Sequence, residues 1–125
     1  MTTILANSPR DALSRLESMV AMGGMNLPER SVRQQMASAI TIVVQCSRLS
    51  DGTRKVVNIS EITGMDENVV SMHEVFRFEQ KGIGPNGNVI GAFRPTGIRP
   101  KFLERLRVSG VLLRGELFET SMEVA

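Results

Sequence analysis

The chain has 125 residues, 42% of them hydrophobic and 22% charged, with a formal net charge of +2. That is enough for one domain with a core and too little for two ordinary ones, and it excludes global disorder. Acidic and basic residues interleave without any Lys or Arg run, and five Phe with no Trp or Tyr leave few stacking platforms, so no nucleic-acid partner is expected.

In chain order, Met1–Ala6 is a short β-branched run that reads as the end of a strand whose beginning is missing. Ser8 is a good N-cap, Pro9 suits the first helical position, and Asp11 complements the helix dipole. Ala12, Leu13, Leu16, Met19 and Val20 recur at helical spacing until Gly23-Gly24 stops the helix. A second helix starts near Leu27-Pro28-Glu29, with an apolar stripe of Val32, Met36, Ala39 and Ile40. The period then changes. Residues 41–48 are β-rich, Ser50-Asp51-Gly52-Thr53 is a turn, and Lys55–Ile62 is the returning strand. Gly64–Asn68 reads as a second turn, Val69–Glu79 as a third strand, and Lys81–Asn88 as a loose turn into a fourth strand, Val89–Arg94. Pro100 opens a helix with Phe102, Leu103 and Leu106 on one face and Gly110 as its C′ residue; Gly115–Glu119 adds one more helical turn. The expected fold is α+β: two helices, a four-stranded antiparallel meander and a C-terminal helix, in one unit spanning 1–125.

Few residue sets in this chain support chemistry. One histidine (His73) and one cysteine (Cys46) make no nucleophile pair and no ligand cluster, and Asp51-Gly52 and Asp66-Glu67 are acidic turns without a third oxygen ligand. Cys46, in the apolar run Ile42–Cys46, is expected as a small buried hydrophobe, and His73 as a solvent-facing strand residue. Met19, Met22, Met25 and Met36 are expected in the core and between helices. Arg10, Arg15, Arg30 and Arg33 are expected in surface ion pairs with Asp11, Glu17 and Glu29. With no leader-like N-terminal pattern and no run near ~20 apolar residues, the chain reads as cytoplasmic.

The string Thr2-Thr3-Ile4-Leu5-Ala6-Asn7-Ser8-Pro9-Arg10-Asp11-Ala12-Leu13-Ser14-Arg15-Leu16 resembles the histidine box of bacterial type II/IV secretion ATPases. There a strand ends in Thr-x-His-Ala-Asn and leads into a helix with Ala-x-x-Arg-Leu. Five later strings resemble the CpaF branch, which serves Tad and Flp pili. They are Arg33–Ile40, Ser47–Val56, Ile62–Met65, Glu74–Gln80 and Arg94–Phe102, in the family's order along nearly the whole chain.

The resemblance implies the distal portion of a RecA-like P-loop domain, from a ring-forming, usually hexameric ATPase. Such a motor lies in the cytoplasm, peripheral to the inner membrane, and drives a pilus or secretion platform protein. It implies ATP and Mg²⁺ for the full-length family. The phosphate-cradling loop, acidic box and Walker B carboxylate would lie upstream of Met1. No Gly-x-x-x-x-Gly-Lys-[Ser/Thr] occurs here: Gly23-Gly24 and Gly82-Ile83-Gly84 lack the Lys-Ser or Lys-Thr. Where the family has histidine this chain has Leu5, which carries no donor, acceptor or charge. Asn7 and Arg15 match the motif and are the nucleotide-binding candidates. No residue qualifies as catalytic or metal-ligating, and no cofactor is expected on the isolated chain. The expected activity is thus that of a partial motor ATPase, inactive alone; the alternative is a non-catalytic module that docks on an ATPase ring or its membrane platform.

Overall fold

A computed structural model describes residues 1–24, 26–119 and 122–124. Two helices, α1 (Pro9–Met22) and α2 (Glu29–Ala39), precede four strands: β1 (Ile42–Arg48), β2 (Arg54–Asp66), β3 (Val69–Ile83) and β4 (Val89–Pro95). A short helix α3 (Phe102–Val108), a 3-10 turn (Gly115–Phe118) and strand β5 (Met122–Val124) follow. All strand pairs are antiparallel, in the order β1-β2-β3-β4-β5. The α+β class and the meander are as expected, and the sheet gains β5, which pairs β4 from Phe93 to Gly91.

Local chemistry sets the helix ends. Ser8 accepts the Asp11 N–H at 3.0 Å through its hydroxyl, and Pro9 follows within the first turn. Gly23 caps the other end, and Gly24, at φ 75°, turns the chain away. Met1–Ala6 forms no strand: the segment holds to β1 by a bond from Gln45 Nε2 to the Ala6 carbonyl, 3.0 Å, rather than by a backbone ladder.

The strands run longer than their sequence signals. Gly64, Met65 and Asp66 belong to β2 instead of a turn, because the ladder shifts register between Ile62 and Gly64 and Gly64 takes up the irregularity at φ 138°. The actual β2–β3 loop is Glu67-Asn68, with Glu67 left-handed at φ 56°. Arginines fasten the helices to this hairpin. Arg10 donates to the Val70 carbonyl at 2.7 Å, and Arg33 donates to the Asn68 carbonyl at 3.0 Å while pairing Glu17 on α1. Gly91 sits where β4 closes on β3; a Cβ there would strike the Glu79 carbonyl and the Phe78 ring.

The core lies between α1, α2 and the β2–β3 hairpin. Leu13, Ile62 and Val70 form its buried centre, with Met36, Ala37, Ile40, Val43, Met65 and Met72 packed around it. Each fully buried aliphatic side chain contributes roughly 1.5–3 kcal/mol. Several expected core residues lie elsewhere. Met19 and Met22 are exposed, because only Ala12 and Leu13 of α1 are buried, so the C-terminal half of the helix has little to cover it. Met25 lies outside the described residues. Cys46 is also exposed, since β1 is the edge strand and Cys46 opens onto a cleft beside it.

The residue before Ile62 holds a different element. Glu61 is only 3% exposed, and its carboxylate accepts the N–H groups of Lys101, at 2.9 Å, and Phe102, at 2.7 Å. A strand residue forty positions away thus satisfies the open donors at the start of α3, a helix with no buried residue of its own. Phe76 stacks on Phe93 at 5.4 Å between ring centres, and buried Phe118 leans against Phe76 at 5.6 Å, pinning the 3-10 turn.

Two predictions follow from these ties. Glu61→Ala strands two donors and should lower unfolding free energy by about 1–3 kcal/mol, whereas Glu61→Gln, which keeps an acceptor oxygen, should cost less. Urea midpoints at unchanged m-value measure both, and equal costs would separate Glu61 from the capping role. The second concerns Asp51, which accepts the Thr53 hydroxyl, the Val89 N–H and the Thr53 N–H, tying the β1–β2 loop to the start of β4. These bonds, the Thr53 hydroxyl foremost, hold its carboxyl at about 2, below the ordinary 3.8. Its stabilising contribution is therefore full above 3.8 and lost as pH falls through about 2. Asp51→Asn should be less stable than the parent at neutral pH and converge with it in strong acid; parallel pH–stability curves would refute the linkage.

Candidate functional site

The motif-bearing residues converge where Met1–Ala6 turns into α1. Asn7 and Arg15 are both there, one helical reach apart, but Asp11 stands between them. Its Oδ2 accepts the Asn7 backbone N–H at 3.0 Å and the Arg15 Nε–H at 3.0 Å. The Asn7 N–H, then Arg15, lower the Asp11 carboxyl below its ordinary value, so it stays ionised. With the Ser8 cap, this forms a reciprocal closure of the helix start, close to a capping box but reaching one residue further back.

Asn7 and Arg15 are thus engaged in closing the helix start: Asp11 bonds Arg15 through Nε in an exposed pair, and Ser8 serves the Asp11 N–H. With no phosphate-cradling loop in the sequence, these two residues alone do not make up a nucleotide site. Among the described residues no group of three or more His, Cys, Asp and Glu is placed to hold a metal ion. Asp11's closing role was legible in its spacing: a carboxylate three residues after a serine cap and four before an arginine satisfies both rules at once.

The other charged candidates serve structure. Arg15 pairs Asp11 and Arg33 pairs Glu17 and Glu29, as expected, while Arg10 bonds the Val70 carbonyl instead of an acid. His73 is exposed on β3, opposite Glu61 in register.

Beside the helix start lies a cleft of about 680 Å³. Its walls are Met1–Ala6, the Ala12, Leu13 and Leu16 face of α1, and residues 39–46 leading into and along β1. Leu5, 87% exposed, stands on its rim. No charged side chain lines it, and its polar groups are chiefly backbone, Thr and Gln45. With one free edge of β1 along it, the cleft can pack against apolar polypeptide or pair with a strand; it carries no acid, base or nucleophile set.

No protein-family model and no curated protein matches this chain.

If Ser8 and Asp11 close the helix start, Ser8→Ala should cost about 1 kcal/mol, whereas Arg15→Ala, which breaks only an exposed pair, should cost much less. Chemical denaturation of the two variants measures this, and an Arg15→Ala loss as large as that of Ser8→Ala would assign Arg15 a role the geometry does not give it.

Proposed function

We propose that this chain is the distal part of a CpaF-type secretion or pilus-assembly ATPase, inactive alone and completed by polypeptide that carries the phosphate loop. The observation that carries this reading is the ordered set of six strings from Thr2 to Phe102. Their places in the fold support it, because they include the residues that position other elements. The first string holds the Ser8–Asp11 helix closure, the fourth of the six begins beside Glu61, and the last supplies the Lys101 and Phe102 amides that Glu61 receives. The uncharged cleft beside Met1–Ala6 and the free edge of β1 give the completing polypeptide a surface to pack on.

In this reading the assembled protein is a homo-oligomeric, hexameric ring, cytoplasmic and peripheral to the inner membrane, that acts on a pilus or secretion platform protein. ATP and Mg²⁺ are held by the completing part through backbone N–H groups, a Lys and a hydroxyl. Asn7 and Arg15 approach the nucleotide only if Asp11 releases them. The same cleft favours a second reading, a non-catalytic module docking on an intact ring. No helix of the described residues is long and apolar enough to cross a membrane.

The test is reconstitution. The purified chain should turn over no ATP, and a fusion downstream of the phosphate-loop half of a CpaF-type protein should bind ATP and hydrolyse it slowly. Leu5→His in that fusion should raise kcat on the order of 10²-fold with little change in ATP affinity, because an imidazole donor acts on transition-state charge whereas binding rests on the loop amides. ATP turnover by the isolated chain that Arg15→Ala abolishes would overturn the proposal. A fusion that assembles yet never hydrolyses ATP in either form would favour the docking module.

A further inference from the structure

The chain leaving α3 concentrates apolar and cationic side chains in one short stretch. From Arg105 to Arg114 it reads Arg-Leu-Arg-Val-Ser-Gly-Val-Leu-Leu-Arg, with three arginines and no acidic residue. Val108 is 82% and Leu112 79% exposed, and Val111 and Leu113 are exposed beside them. Single exposed aliphatics are common, but four within six residues make a patch that needs a partner. At such exposures the side chains project from the surface instead of lining a groove.

The first half of the turn, through Val111, has its backbone N–H groups paired. Gly110, left-handed at φ 86°, reverses the chain so that the Val111 N–H donates to the Leu106 carbonyl at 2.8 Å. The Ser109 and Gly110 N–H groups donate to the Arg105 and Arg107 carbonyls at 3.1 and 3.0 Å. Three of the last four carbonyls of α3 are thereby satisfied, which removes part of the cost of taking this turn out of water.

Charge selects the partner. Among the described residues Arg105 donates to the Thr41 hydroxyl, at 3.4 Å, while Arg107 and Arg114 hold exposed pairs with Glu104 and Glu116. Exposed pairs of this kind are weak and readily exchanged. A projecting aliphatic tip ringed by exchangeable guanidinium groups suits a surface that is apolar inside and anionic at its face. We propose that the Arg105–Arg114 turn is a contact for anionic lipid bilayers. Val108, Val111, Leu112 and Leu113 enter the headgroup boundary, and Arg105, Arg107 and Arg114 pair with lipid phosphates. Four aliphatic side chains give reversible attachment to a membrane surface, not insertion across it. The inference stands on this surface alone and does not rest on the ATPase reading.

Co-sedimentation of the full chain with sucrose-loaded vesicles tests it. The chain should pellet with phosphatidylcholine vesicles containing about one third phosphatidylglycerol, remain in solution with phosphatidylcholine alone, and detach as salt rises. Leu112→Ser/Leu113→Ser, which leaves the charge unchanged, should weaken binding about tenfold or more, and Arg105→Gln/Arg107→Gln/Arg114→Gln should do the same. Because these side chains are exposed, cooperative thermal unfolding of both variants should match the parent, and the comparison is made on variants that meet this condition. Absence of binding to the anionic vesicles at low salt would overturn the proposal, as would undiminished binding of the serine variant. So would concentration-dependent self-association that the serine variant abolishes without vesicle binding, which would place a second protein chain on the tip.

Discussion

Adjacent residues Glu61 and Ile62 point to opposite faces of β2, and each fixes a different part of the molecule. Ile62 packs with Leu13 and Val70 beneath α1 and α2, whereas Glu61 caps α3 on the other side. Alternation along one strand therefore ties both helical layers to the same hairpin. The dependence is asymmetric. The first layer is held by apolar burial, but α3 has no buried residue and relies on a carboxylate and on the Phe118 anchor beyond it. A buried carboxylate is tolerable here because two N–H donors meet it; with neither, the same group would be among the costliest in the molecule.

Polar order continues along the sheet. Asn58 and Ser60 are buried beside Glu61, and the Ser60 hydroxyl donates to Asn58, whose amide donates to Glu74 at 2.6 Å. Asp51 closes the opposite end of the meander through three acceptor bonds. Hydrogen bonds of this kind set geometry more than they add net stability. Small size leaves little margin: among the described residues the largest fully buried side chains are Val75, Val89 and Ser60, none of them large, and much apolar surface is exposed. A domain with so modest a core is well suited to acquiring stability from whatever covers that surface.

Features governed by neighbours in sequence were legible in advance. Ser8-Pro9 and Gly23-Gly24 bound α1, Asp51-Gly52 turns β1 into β2, and Gly110 ends α3, each through backbone preferences that do not depend on tertiary context. What failed depended on what lies across the fold. Met1–Ala6 has β-branched residues and lies near β1, yet it is held there by the Gln45 side chain and not by a backbone ladder, and Cys46 is apolar in setting yet falls on an edge. Gly64-Met65-Asp66 looks like a turn but is absorbed by a register shift in a long hairpin. Glu61 carried no sequence signal, because its partners lie forty residues on; Asp11 carried one, in its place after Ser8 and its spacing from Arg15, and only its bond back to the Asn7 N–H was not foreseen.

The two exposed apolar surfaces differ in the ways that decide partners. The cleft by Met1–Ala6 is concave, lined by no charged side chain and bordered by the edge strand β1, features that suit shape matching and strand pairing. The turn at Arg105–Arg114 projects and is ringed by guanidinium groups, so it responds to a field of negative charge and needs no matching contour. They share no residue and are built on different elements, α1 and β1 in one case and the end of α3 in the other, but they meet where Arg105 donates to the Thr41 hydroxyl in the cleft wall at 3.4 Å. Glu61 and Ile62 lie side by side on β2, the first capping α3, which carries the turn, and the second packing on Leu13, whose side of α1 also lines the cleft.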